Sequence, residues 1–246
     1  MATGRAGAGW RSVRGATRSV DVAWGATGAR HLAERTDVLV VVDILSFSTS
    51  LSVAVERGVQ VWPYAMGSDG AEQLAREIGA VLARGRSTRQ GPTLSPASLF
   101  ELEPGTRLVL PSPNGSAIAH AAVSGGLPVV SACLRGAAAA VRLLAGYERV
   151  GLVASGERWP DGSLRPAYED LLGAGVLAGG LVKAGFVSTP DAAAAAAVAA
   201  RPRPLAQCPS GEELVERGFA VDVEIAEQRD VTDVVAVLKS GRFSAA

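Results

Sequence analysis

Cysteine and histidine are nearly absent: Cys133, Cys208, His31 and His120 are the full complement in 246 residues. With no CxxC pair and no His/Cys ligand spacing, neither a disulfide framework nor a zinc site is indicated, and a reducing cytosol fits best. His31 and His120 read as structural side chains. Net charge is also missing, because 24 lysines plus arginines offset 24 aspartates plus glutamates. No overall field therefore draws the chain to nucleic acid or to a membrane surface, and an anionic ligand has to be held by local chemistry. No window reaches the ~18 uninterrupted apolar residues of a membrane helix, since glycine, proline and charge break every candidate, and the chain reads as soluble. The first 18 residues carry Arg5, Arg11, Arg14 and Arg18 without an acid and without the apolar run of a signal peptide. They read as a disordered basic tail. The nucleotide fingerprints GxxxxGKS/T and GxGxxG after a strand are absent, as is the DxDxT/V of phosphoaspartate phosphatases.

What is present is an alternation. Apolar, β-branched runs end in turn residues and are followed by alanine- and leucine-rich stretches at helical spacing, the pattern of a mostly parallel sheet covered by helices. Strands are predicted at 20–24, 38–45, 59–64, 107–110, 128–131, 150–154 and 220–225. Helices are predicted at 48–57, 68–78, 116–124, 135–144, 168–184, 191–200, 211–217 and 232–239. The run 38–45 is apolar on both faces apart from Asp43, as expected of a central strand buried on both sides with Asp43 near its carboxyl end. Residues 19–246 read as one α/β domain.

Three segments carry chemistry. Asp43 leads into Ser46-Phe47-Ser48-Thr49-Ser50, a hydroxyl-rich turn that opens a helix, where unpaired N–H groups suit an anion. An acid facing a bound phosphate makes electrostatic sense with a cation between them; the alternative is a helix cap. Pro111-Ser112-Pro113-Asn114-Gly115-Ser116 repeats that geometry after another strand. Ala154-Ser155-Gly156-Glu157 is followed by Glu169 and Asp170 at the start of a helix that is otherwise small and apolar. At least one of those carboxylates should therefore face a buried or clefted site. Carboxylates with no basic neighbour in sequence suit a hard, oxygen-seeking divalent cation. Such a set describes metal-assisted phosphoryl chemistry without separating hydrolysis from transfer.

Taken in order, the segments VVVDILSFSTSLSVAVERG (40–58), SPNGS (112–116), ASGE (154–157), YEDLLGAG (168–175) and SGEELVERGFAVDVEIA (210–226) resemble the 2-phosphosulfolactate phosphatase family over residues 20–240. The resemblance implies a three-layer α/β/α fold with a mixed, mostly parallel sheet, dependence on Mg²⁺, and hydrolysis of a phosphate ester on a short carboxylated and sulfonated carbon chain. It implies Asp43 as a catalytic and metal-binding acid, with Glu157, Glu169 and Asp170 completing the metal set. It implies Ser48, Thr49, Ser112, Asn114, Gly115 and Ser116 as phosphate or substrate contacts, with Arg86 and Arg135 as further candidates. Two departures stand out. The family's first motif reads VDVLRA(S/T)T, whereas Ser46 and Phe47 occupy the arginine and alanine positions here. The segment LARGRSTRQ (82–90) lacks the glutamate of the family's Gly-Glu-Arg. With no cation at position 46, 2-phosphosulfolactate itself is expected to be a poor substrate unless another arginine reaches in. A non-catalytic anion-binding protein and a phosphotransferase or lyase on a small phosphoacid stay open as alternatives, as does homo-oligomerisation.

Overall fold

The structure, a computed structural model, describes residues 18–67, 69–88, 91–124 and 126–246. The chain opens with β1 (Ser19–Trp24), α1 (Gly25–Ala33), β2 (Val38–Val42), α2 (Phe47–Glu56), β3 (Gln60–Ala65), α3 (Ala71–Ile78) and β4 (Val81–Leu82). It continues through β5 (Arg107–Ser112), α4 (Gly115–Ser124), β6 (Val129–Ser131), α5 (Ala137–Leu144), β7 (Arg149–Ala154), β8 (Glu157–Arg158) and β9 (Leu164–Arg165). It ends with α6 (Tyr168–Lys183), β10 (Val187–Ser188), α7 (Pro190–Ala199), α8 (Pro209–Glu216), α9 (Ala220–Glu227), β11 (Ala236–Lys239) and β12 (Arg242–Ala245).

Ten of the strands form one mixed, mostly parallel sheet in the order β10-β1-β7-β2-β6-β11-β12-β3-β5-β4, and helices cover both faces in an α/β/α arrangement. The β11–β12 hairpin runs antiparallel to its neighbours and splices the parallel block β10-β1-β7-β2-β6 to the parallel block β3-β5-β4. All five residues of β2 are buried. Side chains alternate across a strand, so Val38, Val40 and Val42 join the core under α5, α6 and α7, whereas Leu39 and Val41 join the core with α1, α2 and α4. The sheet is strongly curled. Five strand spacings separate β2 from β5, which in a flat sheet is about 24 Å. Gly115, three residues past the end of β5, nevertheless donates its backbone N–H to Asp43 just beyond β2. Closure around α2 and α4 thus brings the carboxyl ends of β2, β5 and β7 together.

Small residues set the helix spacing. A Cβ on Gly175 of α6 would collide with the Ala195 carbonyl of α7, so these two helices meet backbone to backbone. The alanine-rich α7 is therefore a close-packing element as well as an outer one.

Several sequence expectations are corrected. The strand predicted at 38–45 ends at Val42, and after Asp43 the residues Ile44 to Ser46 form the turn. The segment 220–225 is helical: Asp222, Val223, Ile225 and Ala226 are buried on one face of α9, a spacing that also reads as alternation over six residues. The predicted helix 232–239 is instead the approach to β11. Ser240 and Gly241, both at positive φ, turn the chain into β12, and pairing with β6 and β12 overrides helical periodicity. Helix α1 and the short strands β4, β8, β9 and β10 had no sequence expectation. Residues 1–17 of the proposed tail lie outside the described residues. Arg18 packs over the Phe186 ring and donates to the carbonyls of Ala145 and Ala184.

Candidate active site

The turn after β2 is built around Asp43. Its Oδ1 accepts the Phe47 N–H at 3.0 Å and its Oδ2 accepts the Gly115 N–H at 3.0 Å. A side chain on residue 115 would overlap the Phe47 ring and come within 2.8 Å of Asp43 Oδ2, which is why glycine stands there. Asp170, in the first turn of α6, does the same for two other segments: Oδ1 accepts the Ile44 N–H at 2.7 Å and Oδ2 the Gly156 N–H at 2.8 Å. The two aspartates thereby tie together the loops that follow β2, β5 and β7. Neighbouring helical residues diverge by about 100°, and Glu169 accordingly takes a different direction from Asp170, its Oε2 accepting from Cys208 Sγ at 3.3 Å while its charge still acts on Asp43 and Glu157. Glu157 of β8 accepts from Asn114 Nδ2 at 3.1 Å.

These four carboxylates feel one another. Burial, opposed by its two backbone hydrogen bonds and reinforced by the Glu169 charge, pushes Asp43 up to about 6. Burial followed by the charges of Asp43 and Glu169 pushes Glu157 up to about 7. Asp170 is held well above the ordinary carboxylate range, mainly by burial and then by Asp43 and Glu169. The Cys208 thiol, buried beside Glu169, is pushed up to about 12 and stays protonated.

The facing cation comes from the loop after β4. Arg86 Nη2 donates to Ser46 Oγ at 2.6 Å and lies 3.4 Å from Asp222 Oδ2. The guanidinium sits 5.5 Å from the centre of the Phe219 ring, and Asp43 and Asp222 are acids that act on it electrostatically. Arg86 thus delivers a guanidinium to position 46, where the sequence had none. Asp222 is 1% exposed and is held by Ser95 Oγ at 2.5 Å and the Ala97 N–H at 3.4 Å.

Most of the other sequence candidates are engaged within the fold. Ser48 Oγ donates to the Val41 carbonyl and accepts from the Asp43 N–H and Ser131 Oγ, which uses its single proton and both lone pairs. Thr49 donates to the Ile44 carbonyl, Ser116 to the Ser112 carbonyl, and both are fully buried. None of the three hydroxyl protons is left for an external phosphate. Gly115 contributes its N–H to Asp43 instead of to a ligand. Arg135 pairs with Glu56 at 2.8 Å and with Gln228. Glu56 closes α2 at the end away from Asp43, about 13 Å along the helix axis at 1.5 Å per residue. Ser112 is buried at the end of β5, its hydroxyl without a hydrogen-bond partner.

Ser46, Ser155, Cys208 and Asp222 were not among the candidates. Asp222 was concealed by the strand assignment; on a helix it is the one acid of a buried face. The Ser155 hydroxyl stands beside the Asp43 carboxylate without a hydrogen bond of normal geometry.

Among the described residues, no three His, Cys, Asp or Glu side chains are arranged to hold a metal ion by themselves. The donor set nevertheless suits a hard cation: hard oxygens, crowded charge, and second lone pairs on Glu157 and Glu169. Mg²⁺ is commonly held through one or two carboxylates with water and substrate phosphate completing the shell, which requires no all-protein cage. Among the described residues no helix is long and apolar enough to cross a membrane.

The carboxylate cluster and the facing guanidinium gather at the carboxyl ends of β2, β5 and β7, the edge of an α/β sheet at which ligands collect. The family model of 2-phosphosulpholactate phosphatase matches residues 27–241, nearly the whole chain, and the chain belongs to that family of phosphoric monoester hydrolases.

Proposed function

We propose that this protein hydrolyses a small anionic phosphate ester, 2-phosphosulfolactate or a related phosphoacid, with Mg²⁺ at the cluster of Asp43, Glu157, Glu169 and Asp170. The observation that carries the reading is Arg86, whose guanidinium is brought onto Ser46 opposite the buried carboxylates. A planar guanidinium is well matched to the oxygens of a phosphate monoester. Asp222 and the Phe219 ring hold it in place beforehand, so that little conformational freedom is lost on binding. Glu157 and Glu169 would hold the cation directly, while Asp170 keeps both oxygens on backbone amides and acts through its charge. When bound, Mg²⁺ would offset the crowded negative charge, lower the pKa of a water and polarise the phosphate. Asp43 retains a lone pair on each oxygen beyond its two amide bonds and is the residue to take the proton of the attacking water. Asn114, bonded to Glu157, has a second amide proton for a substrate oxygen. Cytoplasmic residence agrees with two buried free cysteines.

The test is phosphate release from a panel of phosphoacids with Mg²⁺, after EDTA, and after Mg²⁺ is restored. Turnover that EDTA abolishes and Mg²⁺ restores is expected. Turnover indifferent to EDTA removes the metal from the reading. Thermal stabilisation by phosphate with no release across the panel makes the chain a binding protein.

A further inference from the structure

A cavity of about 310 Å³ opens beside the carboxylate cluster, lined among others by Trp24, Ile118 and Leu164 on its apolar walls and by Asn114, Ser155 and Arg158. We propose that this cavity receives the carbon-chain end of the ester, and that Arg158 recognises one acid group, carboxylate or sulfonate, on that chain. The inference rests on the reading that the adjoining site cleaves a phosphate ester.

Four observations point the same way. The cavity adjoins the cluster, since Asn114 lines it while bonding Glu157 at 3.1 Å, and Ser155 lines it while standing beside Asp43. The Ser155 hydroxyl is 2% exposed and, although it stands beside the Asp43 carboxylate, makes no hydrogen bond of normal geometry. Buried hydroxyls in folded proteins are rarely left so, and a ligand oxygen at this point would complete it. The volume is at the small end for ligand sites, which suits a short chain. Finally, Arg158 is the cationic residue of the lining, with Nη1 on the Gly162 carbonyl at 3.0 Å. The nearby Arg165 does not line the cavity: it stands across the hairpin from Glu157, whose carboxyl its charge acts on, and lies over the Trp159 ring and toward Ser210. One guanidinium matches one acid group.

The wall carrying Arg158 is the β8–β9 hairpin, in which Glu157 pairs with Arg165 and Arg158 with Leu164. Its seat depends on Gly156, at φ +68°, where a side chain would lie 2.8 Å from Leu164 Cδ1 and 2.9 Å from the Arg165 carbonyl. The hairpin therefore places the metal-side acid Glu157 and the selecting base Arg158 on adjacent residues. Successive strand residues point to opposite faces, so Glu157 faces the cluster while the exposed Arg158, with Leu164 across from it, lines the cavity. Specificity and chemistry are in this way carried by one short element.

The experiment compares kcat/KM for phospholactate, for the phosphate ester of isethionate, and for isopropyl phosphate, in the native protein and in Arg158→Ala and Arg158→Lys. Loss of a charge-assisted contact lowers affinity about ten- to a hundredfold. The native protein should favour the two acid esters over isopropyl phosphate. In Arg158→Ala that ratio should fall about ten- to a hundredfold, chiefly through KM, with partial recovery in Arg158→Lys. A native protein with no preference, or a ratio that stays within about twofold of native in Arg158→Ala, overturns the proposal. If the native protein cleaves neither these three nor 2-phosphosulfolactate, the phosphatase reading has failed, and calorimetry with lactate and isethionate decides the cavity by itself. Binding to the native protein that Arg158→Ala abolishes supports it, whereas no native binding, or equal binding by both, overturns it.

Discussion

Replacing Asp43 with asparagine should separate folding from catalysis, and the structure allows the two effects to be weighed. In the folded protein the Asp43 carboxyl titrates at about 6 against an ordinary 3.8, because burial and the Glu169 charge disfavour its ionised form. At 1.36 kcal/mol for each factor of ten in proton affinity, keeping it charged at pH 7 costs about 3 kcal/mol without metal. The amide removes that cost. It also turns one oxygen into a donor that faces the N–H of Phe47 or Gly115, so one charge-assisted hydrogen bond is lost, worth about 1.5 to 3 kcal/mol. The two nearly cancel. Urea unfolding in EDTA at pH 7 should therefore place Asp43→Asn within about 1.5 kcal/mol of the native protein. kcat/KM with Mg²⁺ should nonetheless fall at least about a hundredfold, or ~2.7 kcal/mol of transition-state stabilisation. The sign of the pH dependence follows from the same shift. A carboxyl raised to about 6 binds its proton more tightly folded than unfolded, so metal-free native protein gains stability as pH falls from 7 toward 4. Glu157, raised to about 7, adds to this gain beginning at higher pH. The variant should gain less by about 2 to 3 kcal/mol. Destabilisation well beyond 3 kcal/mol, or activity within tenfold of native, would refute the reasoning.

Gly115→Ala should lower the unfolding midpoint by an amount equivalent to about 1 to 3 kcal/mol, since its Cβ overlaps Phe47 and crowds Asp43 Oδ2; a midpoint equal to native would show that the loop gives way freely. Ser46→Arg should lower kcat/KM for 2-phosphosulfolactate, because Arg86 already lies 2.6 Å from Ser46 Oγ and a second guanidinium would repel it; a gain in kcat/KM would mean that Arg86 does not serve the site. Arg135→Ala leaves Glu56 and Gln228 without their partner, and with Glu56 one-third exposed the loss of stability should be about 1 to 3 kcal/mol. Its KM for the phosphate ester should stay near native once folding is secured by temperature, and a large rise in KM would return Arg135 to the substrate.

The central strand was legible because Val38–Val42 is apolar on both faces, and a strand buried on both sides has few other readings. Asp43 stood out for the same reason. The hydroxyls of Ser48, Thr49 and Ser116, which the family resemblance implies as phosphate contacts, give their protons to carbonyls of the fold, and a hydroxyl-rich turn looks the same in sequence whether its protons face a ligand or a neighbouring carbonyl. The β11–β12 hairpin was missed because short apolar runs with valine and alanine fit either period, and pairing across β6 and β12 decided between them.

The order of chemical types along the chain determined that carboxylates follow strands and that the chain builds an α/β/α fold, since those depend on local pattern and burial. Which carboxylate points where, and which arginine meets them, depended on contacts across great sequence distance. Arg86 reaches Ser46 forty residues away and Asp222 later still, while Gly115 reaches Asp43 through the curl of the sheet. Side-chain direction and sheet closure are set by packing of the whole chain, and there the cation that the first motif lacks is supplied by another loop.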